Sequence, residues 1–425
     1  MTVLDKLTSK EAIELENKHG AHNYHPLPVV LSKGEGVYVW DAEGKKYYDF
    51  LSAYSAVNQG HCHPRIVNAM VEQAKTLTLT SRAFYNDMLG KYEKFATELF
   101  GFDKLLPMNT GAEAVETALK LARKWAYEVK GIDENKAEII VCENNFHGRT
   151  TTIISFSNDP VARKNFGPYT KGFIKIEYDN LQALQEALES NNNIAAFLVE
   201  PIQGEAGVFV PSDGYLAAAK KMCVDHNVLF IADEVQTGIA RTGRLLATCG
   251  NCSCEEKNCS GEPETKADIL ILGKALSGGA YPVSAVLANN NIMDVIQPGN
   301  HGSTFGGNPI AAAVAMAALE VVADEKLAIN ADKLGVIFRE ELTAFANEND
   351  LVKSVRGKGL LNAVLINDTE ESSTAWDICM KLKDNGLLAK PTHGNIIRFA
   401  PPLVMNETQL MDCISIIKKT ITEFK

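Results

Sequence analysis

The sequence predicts an α/β fold on a mostly parallel sheet, and three observations carry that expectation. Apolar runs rich in Val, Ile and Leu recur at 138–141, 195–199, 228–232, 268–272 and 283–287, with helical patterns between them. Their unbroken hydrophobicity, in place of alternation, marks strands covered on both faces, as helices on a parallel sheet would cover them. At 425 residues the chain exceeds what one core holds, so more than one domain is expected.

Taken in order, residues 1–55 read as an amino-terminal arm. A short helix precedes strands around Gly36-Val37-Tyr38-Val39-Trp40 and Lys46-Tyr47-Tyr48-Asp49-Phe50, parted by the turn signal Asp41-Ala42-Glu43-Gly44. Residues 56–310 hold the apolar strands and read as a large α/β domain. Thr110 and Glu113 form a capping-box pair, and the helix they open continues along one face through Val115, Leu119, Ala122, Ala126 and Val129. Residues 311–425 read as a smaller α+β domain. It begins with an Ala-rich helix from Ala311 to Ala323 and a helix over 330–347, followed by strands near 351–355 and 360–366. A helix near 373–384, strands 387–390 and 395–400 and a last helix from about Asn406 complete it. Leu410, Ile414, Ile417, Ile421 and Phe424 give that last helix a single apolar stripe.

Bulk properties exclude several functions. With 42 basic against 53 acidic residues the net charge is −11, which argues against nucleic-acid binding. No apolar run nears the ~18 residues of a membrane-spanning helix, so no membrane partner is expected. Met1 to Gly20 mixes lysines with acids and has no Arg, unlike an organelle transit peptide, and a cytosolic (cytoplasmic) protein is expected. Cys62, Cys142, Cys223, Cys379 and Cys413 are scattered, as reduced thiols would be.

The chemistry gathers at strand ends. Lys274 follows run 268–272 and Asp233 follows run 228–232, so an amine and a carboxylate both stand where open α/β sheets bind ligands. A lysine able to form a Schiff base and an acid able to keep a pyridinium nitrogen protonated meet the needs of a pyridoxal phosphate site. Either residue alone would read as a surface Lys or a turn-capping Asp. Further pieces accumulate, however. Gly111 and Ala112 leave the first amides of their helix open to a phosphate. Phe146 can stack on a flat ring, and Arg149 can clamp a carboxylate. Glu200 can order a loop, Glu205 can approach a ligand between glycines, and the Gly-flanked Ser303-Thr304 suits phosphate contact. His147 reads as a loop or ring-stacking neighbour with no acid–base role.

With these motifs in place, the chain resembles the class III, ω-amino-acid aminotransferases of the fold-type I pyridoxal phosphate family. The resemblance runs from Gly20-Ala21-His22-Asn23-Tyr24-His25-Pro26 to Ile397-Arg398-Phe399-Ala400-Pro401-Pro402. Stretches 233–238 and 271–279 mark the class. The Tyr24 segment, residues 52–61 and the run Gly386 to His393 look specific to its ornithine-using members.

The resemblance implies pyridoxal 5'-phosphate as cofactor, joined to Lys274, with Asp233 at its ring nitrogen and Gln236 at its phenolic oxygen. Phe146 would lie against the ring. Gly111 and Ala112 would hold the phosphate, with Ser303 and Thr304 arriving from a second subunit, so a homodimer with shared active sites is implied. The implied reaction moves the δ-amine of L-ornithine to 2-oxoglutarate. Its products are glutamate and glutamate 5-semialdehyde, which cyclises to pyrroline-5-carboxylate. Lys274 would carry the proton between carbons. Arg149 and Tyr24 would grip the far end of ornithine, and Tyr54 would shape the pocket. Arg398 would pair with Glu205 in that half-reaction and take the α-carboxylate of 2-oxoglutarate once Glu205 swings aside. No metal is expected at these positions.

Acetylornithine and 4-aminobutyrate are alternative donors, against which Tyr24 and Tyr54 argue. A catalytically idle protein whose cysteine loop binds a metal or partner is another alternative, against which Lys274 and Asp233 argue. Cys249, Cys252, Cys254 and Cys259 stand open between zinc ligation, redox control and a solvated insertion.

Overall fold

The computed structural model describes residues 7–249 and 265–424. The reading of the cysteine cluster, whose Cys252, Cys254 and Cys259 fall between, lies outside the described residues, as do residues 1–6 of the arm. Near the amino terminus β1 (Leu31–Glu35), β2 (Tyr38–Asp41) and β3 (Lys46–Asp49) pair antiparallel.

The central sheet holds β4 (Lys104–Met108), β5 (Glu138–Cys142), β6 (Phe173–Ile176), β7 (Ile194–Val199), β8 (Leu229–Asp233), β9 (Ile269–Leu272) and β10 (Ser284–Ala288). Its spatial order is β4-β10-β9-β8-β7-β5-β6. The pairs from β9 to β6 are parallel, and β10 runs against both its neighbours. Every residue of β7, β8, β9 and β10 is buried, as their unbroken apolar runs require. The edge strands β4 and β6 carry no such run, because each is covered less completely. Pro107 sits in β4, where an edge tolerates the missing N–H. In the register, Asp233 of β8 faces Ile271 of β9, three residues before Lys274. That pairing brings the two residues to one end of the sheet.

Helix Gly111–Trp125 is closed by the expected capping box, Thr110 with Glu113. Its predicted face needs one correction. The helix widens to a π-turn over Ala126–Lys130, and Val129 is left exposed although Ala126 is buried. The wider turn rotates later side chains off the original stripe.

Towards the carboxyl terminus lie β11 (Val352–Lys358), β12 (Leu361–Ile366), β13 (Leu387–Leu388), β14 (Lys390–His393) and β15 (Ile396–Phe399). The expected strand 387–390 is split: β13 joins β3 in parallel, while β14 continues a sheet of order β11-β12-β15-β14. Helices Pro309–Asp324, Leu327–Ala346 and Thr374–Asp384 fall where the sequence puts them. Helix Glu407–Thr422 is capped by Asn406 with Gln409, and Leu410, Ile414, Ile417 and Ile421 are buried along its stripe. Among the described residues no helix is long and apolar enough to cross a membrane.

Candidate active site

Asp233 ends the middle strand of the central sheet and is almost fully buried. Its Oδ2 lies 2.6 Å from His147 Nδ1, and its Oδ1 accepts from the Val235 N–H at 3.1 Å. Burial pushes the His147 imidazole down, but the hydrogen bond and charge of Asp233 outweigh it and leave the pKa raised. The two side chains thus form a buried hydrogen-bonded pair that favours the protonated imidazole. Glu234 turns the other way, into buried contacts with Thr237 and Thr248. Alternation along the strand thus selects Asp233 for the cavity.

Lys274 opens a short 3-10 turn with φ at +45°, a left-handed conformation that costs an L-residue about 1–2 kcal/mol. Burial pushes its amine below the usual lysine range, against the pull of Asp233, and the charge of Arg398 pushes it the same way. Such strain and such a shift belong together at functional sites.

Lys274 and Asp233 share a cavity of about 180 Å³ with Gly111, Ala112, Phe146, Gln236 and Glu205. His147 and Glu200 also line it. Glu200 orders the Phe146 loop, since its Oε1 accepts the Phe146 N–H at 2.8 Å. Burial raises the Glu200 carboxyl to about 7, although the charge of His147 opposes this. Two glycines allow the close packing. A Cβ on Gly111 would meet Val235 Cγ1 at 2.9 Å, and one on Gly204 would meet Gln236 Oε1 at 1.7 Å.

Beside the cavity, Arg398 of β15 is buried with its Nη1 2.8 Å from Glu205 Oε2 and 3.2 Å from the Gly204 carbonyl. Burial alone would raise the Glu205 carboxyl, but Arg398 holds it below the usual range. The Glu205 loop is seated by Ile202 and Val208 on Leu361, Ala363, Ile396 and Ala400. Tyr54 presents its ring 5.3 Å from the Arg398 guanidinium. It rides on four successive left-handed residues, Ser52 to Ser55 (φ 49, 47, 61 and 71°). Asp49 steadies that turn: Oδ1 accepts from Leu51 N at 2.8 Å and Ser52 N at 2.9 Å, and Oδ2 lies 2.7 Å from His61 Nε2. Burial raises the Tyr54 hydroxyl, and Glu205, Arg398, Tyr24 and Arg149 all act on it electrostatically. Those five side chains therefore share one neighbourhood, with Tyr24 and Arg149 on its exposed rim. Ser303 and Thr304 stand apart from the cavity, in a surface cleft with Leu79, Ser81 and Arg82. Ser303 Oγ there accepts from Asn109 Nδ2 at 2.9 Å.

The donor set fits pyridoxal phosphate. An amine, a buried carboxylate, an aromatic ring and the positive end of a helix converge. Gln236 Oε1 and His147 Nε2 are buried there without a partner, as groups awaiting a polar ligand would be. His147 is the residue sequence reasoning undervalued. It follows β5, two strands from β8, so only the strand order reveals that it reaches Asp233.

Residues 19–421 match the family described as aminotransferase class-III. Ornithine aminotransferase, mitochondrial, of Drosophila melanogaster is 62% identical over 96% of this chain and 90% of its own. An acetylornithine aminotransferase structure from Elizabethkingia anophelis is 65% identical with a TM-score of 0.87, covering 98% of this chain and 100% of that one. An ornithine aminotransferase structure from Toxoplasma gondii, described with partial occupancy of PLP at the active site, has a TM-score of 0.93. It is 49% identical, covering 99% of this chain and 95% of that one.

Proposed function

The chain belongs to the class-III aminotransferases, and from that premise we propose that it moves the δ-amino group of L-ornithine to 2-oxoglutarate, with pyridoxal phosphate as cofactor. The products are glutamate and glutamate 5-semialdehyde, which cyclises to pyrroline-5-carboxylate. When bound, the cofactor supplies an aldehyde that takes up the amine and a ring that spreads the electrons freed at the substrate carbon. Lys274 would hold it covalently, Asp233 would keep its ring nitrogen protonated, and His147 would orient Asp233 through their hydrogen bond. Gln236 would meet its phenolic oxygen and Phe146 its ring face. Gly111 and Ala112 would bind its phosphate through their N–H groups, with Ser303 and Thr304 of a second subunit.

Lys274 Nζ, its proton affinity lowered by burial, then takes and returns the proton at the substrate's amine-bearing carbon. Arg149 and Tyr24 bind the α-carboxylate and α-amine of ornithine at the rim, and Tyr54 narrows the pocket. Glu205 neutralises Arg398 while the δ-ammonium approaches. When the second substrate enters, Glu205 turns away and Arg398 binds the α-carboxylate of 2-oxoglutarate. The observation that carries this reading is the buried Arg398–Glu205 pair beside the Lys274 cavity. It gives one site a way to accept a cation and then an anion.

Shared sites in a homodimer complete the proposal. The separation of Ser303 and Thr304 from Lys274 supports it, as do Phe84, Tyr85 and Phe305, all exposed near that cleft in sequence. A monomer by analytical ultracentrifugation would remove it. We also propose a cytosolic location, with which the unpaired thiols Cys62, Cys142, Cys223, Cys379 and Cys413 are compatible, as they are with any reducing compartment.

The 65% identity to the Elizabethkingia anophelis protein favours a second reading, N-acetylornithine as donor. The two are separated by feeding the cofactor-loaded enzyme ornithine, N-acetylornithine or 4-aminobutyrate with 2-oxoglutarate and comparing kcat/KM. Ornithine should be preferred and should yield pyrroline-5-carboxylate, and Lys274→Ala should abolish turnover. A higher kcat/KM for the acetylated donor would reverse the assignment.

A further inference from the structure

The run Gly386 to His393 includes β14, yet none of its residues has a part in the reaction described above. β14 nevertheless touches three of the substrate elements. Lys390 pairs in register with Arg398 across the sheet. Thr392 Oγ1 donates to the Glu205 carbonyl at 2.5 Å. Lys390 Nζ donates to the His25 carbonyl at 3.0 Å, one residue after Tyr24.

The last contact matters because of what holds Tyr24. Residues 20–30 form no strand or helix. The backbone hydrogen bonds within this stretch are short-range, Asn23 N to Ala21 O and Val29 N to Leu27 O. The segment is tied to the body of the protein at two places: at its end, where the Ala42 N–H donates to the Val30 carbonyl at 2.9 Å, and beside Tyr24 at His25, by Lys390 on its carbonyl and by Trp376, whose ring centroid lies 4.7 Å from the imidazole. A segment without ladder bonds takes its position from such anchors.

We propose that Lys390 is a positioning residue for the ornithine half-reaction: by binding the His25 carbonyl it holds Tyr24 at the rim of the cavity, where the α-amine of the donor is gripped. This rests on the reading of Tyr24 given above. Lys390 touches neither reacting atom nor cofactor, so its removal acts on ornithine binding. 2-Oxoglutarate, bound through Arg398, does not use Tyr24, and Lys390 bears on that half-reaction only through its electrostatic interaction with Glu205, which Lys390→Arg preserves.

The test uses the cofactor-loaded enzyme and four variants: Lys390→Met, which keeps the aliphatic stem, Lys390→Arg, which keeps a donor, Tyr24→Phe, and the Tyr24→Phe/Lys390→Met double variant. Loss of one partly exposed hydrogen bond from a charged donor should raise KM for ornithine about 3- to 10-fold in Lys390→Met. Changes in kcat and in KM for 2-oxoglutarate should stay under about 2-fold, and Lys390→Arg should restore ornithine binding. The double variant should be no worse than Tyr24→Phe alone. Equal rises for both substrates, an unchanged ornithine KM, or additive losses in the double variant would overturn the proposal. Hydrogen exchange of residues 20–30 separates the two layers. Faster exchange in Lys390→Met with no ornithine effect in Tyr24→Phe refutes the role of Tyr24. Unchanged exchange refutes the anchoring by Lys390 whatever the substrate.

Discussion

Replacing Glu205 by Gln keeps the shape of the side chain and removes its charge from Arg398. In the native site the two groups are 2.8 Å apart, and Arg398 is buried. With Gln in place, the guanidinium stands uncompensated where the δ-ammonium of ornithine must approach Lys274, a group that already feels the Arg398 charge. For two unit charges about 6 Å apart at an effective dielectric near 20, the repulsion is about 3 kcal/mol. That corresponds to roughly a 100-fold loss in kcat/KM for ornithine. On the proposed switch the half-reaction with glutamate or 2-oxoglutarate needs Arg398 free, so it should hold its rate or gain slightly. Each half-reaction can be followed separately by the cofactor's absorbance after rapid mixing with one substrate, with a melting temperature taken alongside to exclude misfolding. Equal slowing of both half-reactions would refute the gating role of Glu205, and so would an ornithine rate within about 3-fold of the parent.

Two further outcomes concern stability. Arg241 is fully buried and donates to Asn58 Oδ1, to the Leu360 carbonyl at 2.9 Å and to the Pro401 carbonyl at 2.6 Å. Arg241→Met should strand these acceptors and lower unfolding stability by about 3–5 kcal/mol, read as a shift in the urea midpoint; a shift under about 1 kcal/mol would contradict that account. Glu200, raised by burial from 4.5 to about 7 in the folded state, contributes stability that is complete below pH 4.5 and lost as pH rises through 7. Glu200→Gln should therefore gain on the parent between those pH values, by on the order of 3 kcal/mol in the cofactor-free protein. A difference in melting temperature that stays constant with pH would show that Glu200 is not so perturbed.

Much of the site was legible because its chemistry sits at strand ends that announce themselves. The runs that became β5, β7, β8 and β9 are buried on both sides, and their hydrophobicity is continuous enough to read directly. The edge strands β4 and β6 were silent, since partial burial asks little of their residues. The capping box at Thr110 was visible because a cap is a local bargain between neighbouring residues, whereas at Asn406 only the start of the helix was read and the box with Gln409 came from the structure. Val129 was misread because a change from α to π winding leaves no mark on side-chain periodicity until it has happened.

By itself the sequence determined which residue types stand at which strand end: Lys274, Asp233, Phe146 and Glu205 each follow a run whose period and apolarity set its own conformation. Only the tertiary structure decided who meets whom. The pairing of His147 with Asp233 depends on β5 lying two strands from β8, and Lys390 reaches His25 across 365 residues of chain. Hydrophobic pattern is a property of neighbours along the chain, whereas strand order is settled by how whole faces pack, and no short window of residues encodes it.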